Sequence, residues 1–546
     1  MANFTAKILG NSVSSMTATQ ALLSNASNNI ANVNTPGYTR RNIAVQTRLD
    51  PATVDGILRI GSGVQLGEIS RVTNTFLEDS LRRAVSRQGA ATVRNEYLGR
   101  VENVFSLTGP TMTVGSTLND FFSAVNQLGV DPSNLDLRLN VLQKGEDLVS
   151  TIRTTFKELA NSQNELDQRV GLEVGSINSI TKEVAYLNTV IAQRESVGVS
   201  ATDERDQRDT VLAKLAEKIS FNIVETPNGM VNCVLENGFP LVNQETSRNL
   251  SVTATPTFGG GTMPRSLSDS VLSYVVYNFG TENAPSHLDL TNMIKNGGGS
   301  LGGVLQMRGY ADPSNTSPYE ADGDIVALAT RIEALTRTLI TEVNQVYRGG
   351  DEDPATPGTQ PQAGDLNGNT PGVFGLFDFD FSGVKDVDGD GQATLADLAG
   401  TGLHTFSNLL KLGISRPDQF AAARDLDPMP GSLAFAAGDG SNAQALAGLR
   451  TEAFGYSLGA LSFSGTFDEL YNSAVSTAGN MKSAAQLEAD VANATYMTAS
   501  SKRDEFSSVN LDEEFANVIK YQKAFQASAR MIKTASEILD VIVSLI

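Results

Sequence analysis

One short run carries the densest coordination chemistry in the chain: Asp386-Val387-Asp388-Gly389-Asp390-Gly391-Gln392-Ala393-Thr394-Leu395-Ala396-Asp397. Its carboxylates occupy the first, third, fifth and twelfth places of a calcium loop. Gly391 stands at the sharp turn, and Gln392 offers its backbone carbonyl at the seventh place. Calcium takes about six to eight hard oxygens, and this spacing supplies them from one stretch of backbone. The predicted ligands are therefore Asp386, Asp388, Asp390, Gln392 and Asp397. Two features depart from the pattern. The last carboxylate is Asp rather than the longer Glu, and Phe377 to Phe381 reads as extended, with no entering helix. The competing reading is a solvated acidic turn. A bound calcium ion would stiffen a loop, and nothing else in the chain requires a cofactor.

Other chemistry is sparse. His287 and His404 are the two histidines, neither with a Cys or second His at zinc spacing, and both read as surface or loop residues. Cys233 is the one cysteine; it excludes an internal disulfide and reads as a small buried hydrophobe. The glycines at 297–299 and 302–303 lack the Lys-Ser or Lys-Thr of a phosphate loop. The sequence does not read as an enzyme. Lys and Arg total 41 against 61 Asp and Glu, a net charge of −20. That argues against a nucleic-acid partner or an anionic membrane, both of which need clustered cations. The start, MANFTAKILGNSVSSM, has no basic segment followed by an apolar core, and no run spans a bilayer. Export would need a route without a cleaved signal peptide.

These elements set the architecture. Residues 5–33 read as a helix, with Leu9, Val13, Met16, Leu23 and Ile30 on one stripe. Asn34-Thr35-Pro36-Gly37 stops it, because Pro removes a donor and Gly permits positive φ. Residues 57–72 look strand-like. From Leu137 to about Glu195 apolar residues recur every three, four or seven positions, a helix of roughly 85 Å that suits a rod. Ile219, Phe221 and Ile223 alternate, Pro227-Asn228-Gly229 turns, and Val231, Cys233 and Leu235 alternate again: a β-hairpin. Val271, Val275 and Tyr277 suggest a further strand. A second helical pattern runs from Ile325 to Val346, with Asp322 or Asp324 as its cap and Gly349-Gly350 as its stop.

The C-terminal segment repeats Phe515, Val518, Phe525, Ala529, Ile532, Leu539, Val543 and Ile546 in an a/d-like series, with Asn510 and Glu513 placed as a capping box; Leu511, Phe515, Val518, Phe525, Ile532 and Leu539 are the expected assembly residues. A lone helix with such a seam needs a partner. The simplest is the N-terminal stripe of the same chain, with the residual surface left for neighbouring subunits. Both ends are rich in Ala, Ser and Asn, which build a weak isolated core. They are expected to order only on assembly. An ordinary helical hairpin closing a globular protein is the alternative.

Two motifs carry a resemblance. Asn28-Asn29-Ile30-Ala31-Asn32-Val33-Asn34-Thr35-Pro36-Gly37-Tyr38-Thr39-Arg40-Arg41 resembles the signature of the flagellar rod, hook and hook-associated family, and the resemblance implies that Asn29, Asn32, Asn34, Pro36, Gly37 and Tyr38 serve assembly. Val509 to Glu514, followed by Tyr521 to Arg530, resembles the family's C-terminal helix; Ser508 stands where the family usually has Gly. Length, the Thr202–Asp209 segment and the helix ending Glu342 to Tyr347 resemble the hook-associated branch. Arg40 and Arg41 read by default as solvated, or as partners for acidic groups such as Asp512 to Glu514 on a neighbour.

The resemblance implies a structural subunit of the hook–filament junction, outside the cell on the flagellum. It also implies an annular ring of copies, with hook protein and the third hook-associated protein as neighbours. Export would use the flagellar type III apparatus, with a cytoplasmic chaperone on the C-terminal helix. The expected fold is multidomain α+β: a terminal coiled-coil layer, a long-helix domain and β-rich outer parts. The boundaries are 1–60 with 505–546; 61–214 with 321–350 and 441–504; 215–320; and an insertion at 351–440. The rivals are another axial protein (hook or distal rod), a calcium-dependent surface adhesion module, and a peptidoglycan hydrolase fused to an axial protein.

Overall fold

The computed structural model describes residues 2–48, 61, 63–105, 112–254, 267, 272–279, 286–310, 322–349, 363–371, 375–380, 405–424, 435–458 and 461–544. The chain divides into two compact units: residues 1–88, 177–248 and 492–546 form the first, and residues 89–176 and 249–491 the second. The fold is α+β and multidomain, with long helices and several small separate sheets.

The first unit holds helix α1 (Ala2–Ala31), the antiparallel ribbon β1 (Arg41–Thr47) and β2 (Val64–Arg71), and the opening of α2 (Thr75–Phe105). The last turns of α4 (Leu135–Ser196) and all of α5 (Thr202–Lys218) follow. A four-stranded sheet comes next, from β3 (Asn222–Glu225), β4 (Val231–Val234), β5 (Pro240–Asn243) and β6 (Thr246–Ser247). The predicted hairpin is β3–β4, with Ile223 opposite Cys233. Its turn needs glycine at Gly229, where φ is +77° and a Cβ would meet Arg205 and Glu195. Cys233 is fully buried, and burial pushes its thiol up to about 12.

The second unit holds the rest of α2, α3 (Val114–Val130) and most of α4. It also has the sheet of β7 (Leu250–Thr253), β8 (Tyr274–Asn278) and β9 (His287–Asp289). Helices α6 (Thr291–Gly297), α7 (Gly299–Arg308) and α8 (Asp324–Tyr347) come next. The pairs β10 (Ala363–Gly364) with β13 (Ala423–Arg424), and β11 (Phe377–Phe379) with β12 (Leu410–Leu412), frame the short helix α9 (Thr405–Leu409). Helix α10 (Ser441–Gly448), the hairpin β14 (Phe454–Leu458) and β15 (Leu461–Gly465), and the first part of α11 (Phe467–Ser507) complete it. Its interior is aromatic: Phe122 stacks on Phe467 at 5.8 Å, and Phe121 lies 5.8 Å from Phe377.

Helix α4 has 62 residues, about 93 Å at 1.5 Å each. Leu148, Ile152, Leu159, Leu166, Val170, Ile177, Val184 and Ile191 on its apolar stripe are fully buried, which is why so long a helix persists. Two local expectations change. Helix α8 is not capped by a carboxylate: its N-cap is Gly323, while Asp324 pairs with Arg94 at 2.8 Å and Asp322 pairs with Lys295. An ion pair to a fixed cation outcompetes the cap for those side chains. His287 is a half-buried strand residue rather than a loop residue. His404 lies outside the described residues, as does the acidic run 386–397.

Candidate assembly site at the joined termini

Helix α1 packs along α12 (Leu511–Ser544) within the first unit. The helices are formed and paired in the single chain, whereas the composition of both ends led us to expect order only on assembly. The residues that leave solvent most completely are not the large apolar ones. On α1 they include Thr5, Ser12, Thr19 and Ala26, seven apart; on α12 they are Glu514, Ser528 and Ala535. Ser15 and Ser528 meet hydroxyl to hydroxyl at 3.0 Å. Small side chains in a heptad let two backbones approach closely, and the large residues flank the contact. Val518, Phe525, Ile532 and Leu539 are half-buried, as are Leu9, Met16, Leu23 and Ile30.

A second set of apolar residues stays in water. Phe515 is 52% exposed, Ile519 60%, Met531 50%, Val541 57%, and Leu511 and Val13 are also exposed. The sequence stripe thus mixes two faces: one packs on α1 and the other stays exposed.

The turn after α1 is built as its residue types dictate. Asn32 donates to Asn28 and accepts from Thr35 Oγ1, closing the helix end with side chains. Gly37 has φ +79°, and a Cβ there would lie 2.5 Å from Thr210 Oγ1, so both backbone and space require glycine. Asn34 and Pro36 are exposed. Asn29 is fully buried and holds strand β1: its Nδ2 donates to the Arg41 carbonyl at 3.0 Å, and its Oδ1 accepts from Arg41 N–H at 3.1 Å and from the Tyr38 hydroxyl at 2.9 Å. Burial pushes the Tyr38 hydroxyl above its ordinary range, with Arg41 pulling the other way.

Neither arginine of the signature is solvated, and both pair within their own chain. Arg40 reaches α12, with Nη1 at 2.7 Å from Glu513 and Nε at 3.0 Å from Glu514, while its N–H donates to the Ser507 carbonyl at 2.9 Å. Arg41 turns the opposite way onto α5, pairing with Asp203 and, at 3.7 Å, with Asp206. Arg71 of β2 joins from below, at 2.9 Å from Asp206 and 2.6 Å from Asp209. Burial pulls the Arg71 guanidinium down, but Asp209 and Asp206 outweigh it and leave it raised. Asp203, Asp206 and Asp209 recur every three residues on one face of α5; that spacing was visible in the Thr202–Asp209 run, but its arginine partners were not. Asn510 caps α12 through its Oδ1, which accepts from Asp512 N–H at 3.0 Å. Glu513, the other half of the expected box, serves Arg40 instead. Ser508 needs no glycine, since its φ is not positive.

The site is therefore a mechanical joint: two terminal helices in register, anchored by adjacent arginines to the C-terminal helix on one side and to the middle of the sequence on the other. Among the described residues no group of His, Cys, Asp or Glu is placed to hold a metal, and no helix is long and apolar enough to cross a membrane.

Comparison with known proteins agrees with this geometry segment by segment. Residues 9–39 match the flagella basal body rod protein family, residues 500–545 the C-terminal family of the flagellar basal body rod FlgEFG proteins, and residues 98–360 the helical domain of flagellar hook-associated protein FlgK. Flagellar hook-associated protein 1 of Salmonella typhimurium is 25% identical over 98% of this chain and 99% of its own. The protein of that name from Bacillus subtilis is 25% identical over 97% and 96%. The chain is similar to flagellar hook-associated protein 1 over nearly its whole length. Its fold resembles the flagellar hook junction protein FlgK of Burkholderia pseudomallei, with a TM-score of 0.58 at 15% identity, covering 79% of this chain and all of the other. The joint spans the two segments that match rod-protein families, and the middle match is specific to the hook-associated branch.

Proposed function

We propose that this chain is a structural subunit of the bacterial flagellum that forms the hook–filament junction, assembling through its terminal helices. The observation that carries the reading is the α1–α12 pair: a small-residue seam clasped by Arg40 and Arg41, with Phe515, Ile519, Met531 and Val541 left in water. An exposed apolar strip of this kind marks an interaction surface. Its partners in this proposal are copies of itself in a ring, hook protein on one side and the third hook-associated protein on the other. The protein works outside the cell, on the flagellum, and is met before export by a cytoplasmic chaperone on α12. The match over 98–360 favours this role over hook or distal rod. The test is where epitope-tagged protein lies on isolated flagella. A single band between hook and filament supports the proposal; label along the rod or only on the cell body contradicts it. A strain carrying only a chain truncated before residue 505 should lack filaments.

We also propose that the acidic run binds calcium through Asp386, Asp388, Asp390, Gln392 and Asp397, on the spacing of its oxygens alone. The expected affinity is at the weak, extracellular end, about 10⁻⁴–10⁻³ M. Titration calorimetry on the full chain should give heat that Asp386→Ala with Asp390→Ala removes; equal heat in both proteins contradicts the site.

A further inference from the structure

In the second unit an open groove of about 930 Å³ runs along α4, walled on its other side by the segment from Asn408 to Ser415. Its floor is apolar, with Leu412 and Ile414, and its rim is basic, with Arg153, Lys157 and Lys411 against one acid, Glu146, among the described residues. Arg153 and Lys157 stand one helical turn apart on α4 and are exposed. Neither has a carboxylate within 4.0 Å among the described residues. Other cations of the same unit are occupied: Arg94 by Asp324, Arg100 by Glu165, Lys144 by Asp120. Lys411 is held by Asp378 at 3.3 Å. A patch of positive charge over an apolar floor is a local exception in a chain of net charge −20.

That exception matters for association. Two copies of so acidic a chain repel, and an interface between them needs a place where the sign is reversed. We propose that this groove receives an acidic segment of a neighbouring copy of the chain, its carboxylates on Arg153 and Lys157 and its apolar side chains on Leu412 and Ile414. The inference rests on the reading that copies assemble side by side, and it adds a contact away from the terminal helices.

The experiment uses the full-length protein in flagellated cells, with a photo-reactive residue at Ser150 on the groove wall. Light should join copy to copy. In Arg153→Glu/Lys157→Glu the joined fraction should fall at least about tenfold, as expected when two facing charges are reversed. Arg153→Gln/Lys157→Gln should give an intermediate yield. Both variants should melt with the parent protein, because the two side chains are exposed. The groove assignment is overturned if the parent joins to a different protein or to none, or if the charge-reversed chain joins as well as the parent. Absence of the parent protein from the flagellum would instead overturn the assembly reading itself.

Discussion

At the α1–α12 seam the residues removed from water include Thr5, Ser12, Thr19, Ala26, Ser528 and Ala535; inside the second unit they include Phe121, Phe122, Phe156, Phe377, Phe420 and Phe467. Both regions are helical and both follow a regular apolar period, yet they bury very different amounts of carbon. A buried Phe contributes roughly 1.5–3 kcal/mol, whereas Ser, Thr and Ala contribute little. The second unit thus has a core that supports itself. The terminal pair has shape and register without much driving force, and it keeps its large apolar residues partly or wholly in water. A surface of that kind gains most when another subunit covers it. The ion pairs of Arg40, Arg41 and Arg71 then serve to aim the pair rather than to supply its stability.

The comparison breaks most visibly if the two regions respond alike to the same truncation. Phe122→Ala should destabilise the second unit by about 3–5 kcal/mol, the cost of a large cavity in a packed core. Phe525→Ala, half-buried on α12, should cost only about 1 kcal/mol. Denaturant titration followed by tyrosine fluorescence reads the first, and hydrogen exchange along α12 reads the second. Equal losses would mean that the seam is a core after all.

A smaller effect is expected at Asn29. Asn29→Ala leaves the backbone N–H of Arg41 without its side-chain acceptor in a buried place, which costs about 1–3 kcal/mol, while the Arg41 carbonyl keeps the Asn25 amide at 2.9 Å. The loss should appear as faster amide exchange in β1 and at Tyr38, with the second unit unchanged. Exchange that quickens throughout the chain would show that the clasp stabilises more than the joint.

The smallest effect concerns acid. Hydrogen bonds from Arg205 hold the Glu195 carboxyl below its ordinary value, against some desolvation. A lowered folded pKa means that its stabilisation is present above the unfolded value of 4.5 and is lost as pH falls through the folded one. Glu195→Gln should therefore flatten the acid limb of first-unit stability below about pH 4.5 and change little in slope at neutral pH. An unaltered acid limb would remove Glu195 from the account.

Much of this architecture was legible because it is local. The period of α4 predicts a helix from Leu137 to about Glu195, and the helix runs from Leu135 to Ser196. The β3–β4 hairpin follows from alternation on either side of Asn228-Gly229, and the stop after α1 from Pro36 and Gly37. What was not legible is which of several spaced residues face inward. On α1 the large residues catch the eye, but the buried heptad is Thr5, Ser12, Thr19 and Ala26, and a small polar residue gives no hydropathy signal. Arg40 and Arg41 are neighbours in sequence and diverge in space, one to residues more than 470 positions away and one to α5. No local rule assigns such partners. The capping box at Asn510 was half right for the same reason: a distant guanidinium claims Glu513.

The claim that the terminal pair serves assembly rather than folding is tested most directly by Phe525→Asp, measured twice in one full-length protein. A charge at this half-buried place adds a desolvation cost that repeats in every subunit of a ring. The predicted result is a main melting transition within a few degrees of the parent, since about 1 kcal/mol moves a domain of this size by roughly 2–4 °C, together with a strain that forms no filaments. A transition lowered by far more than that, or normal filaments from the mutant chain, would contradict the account.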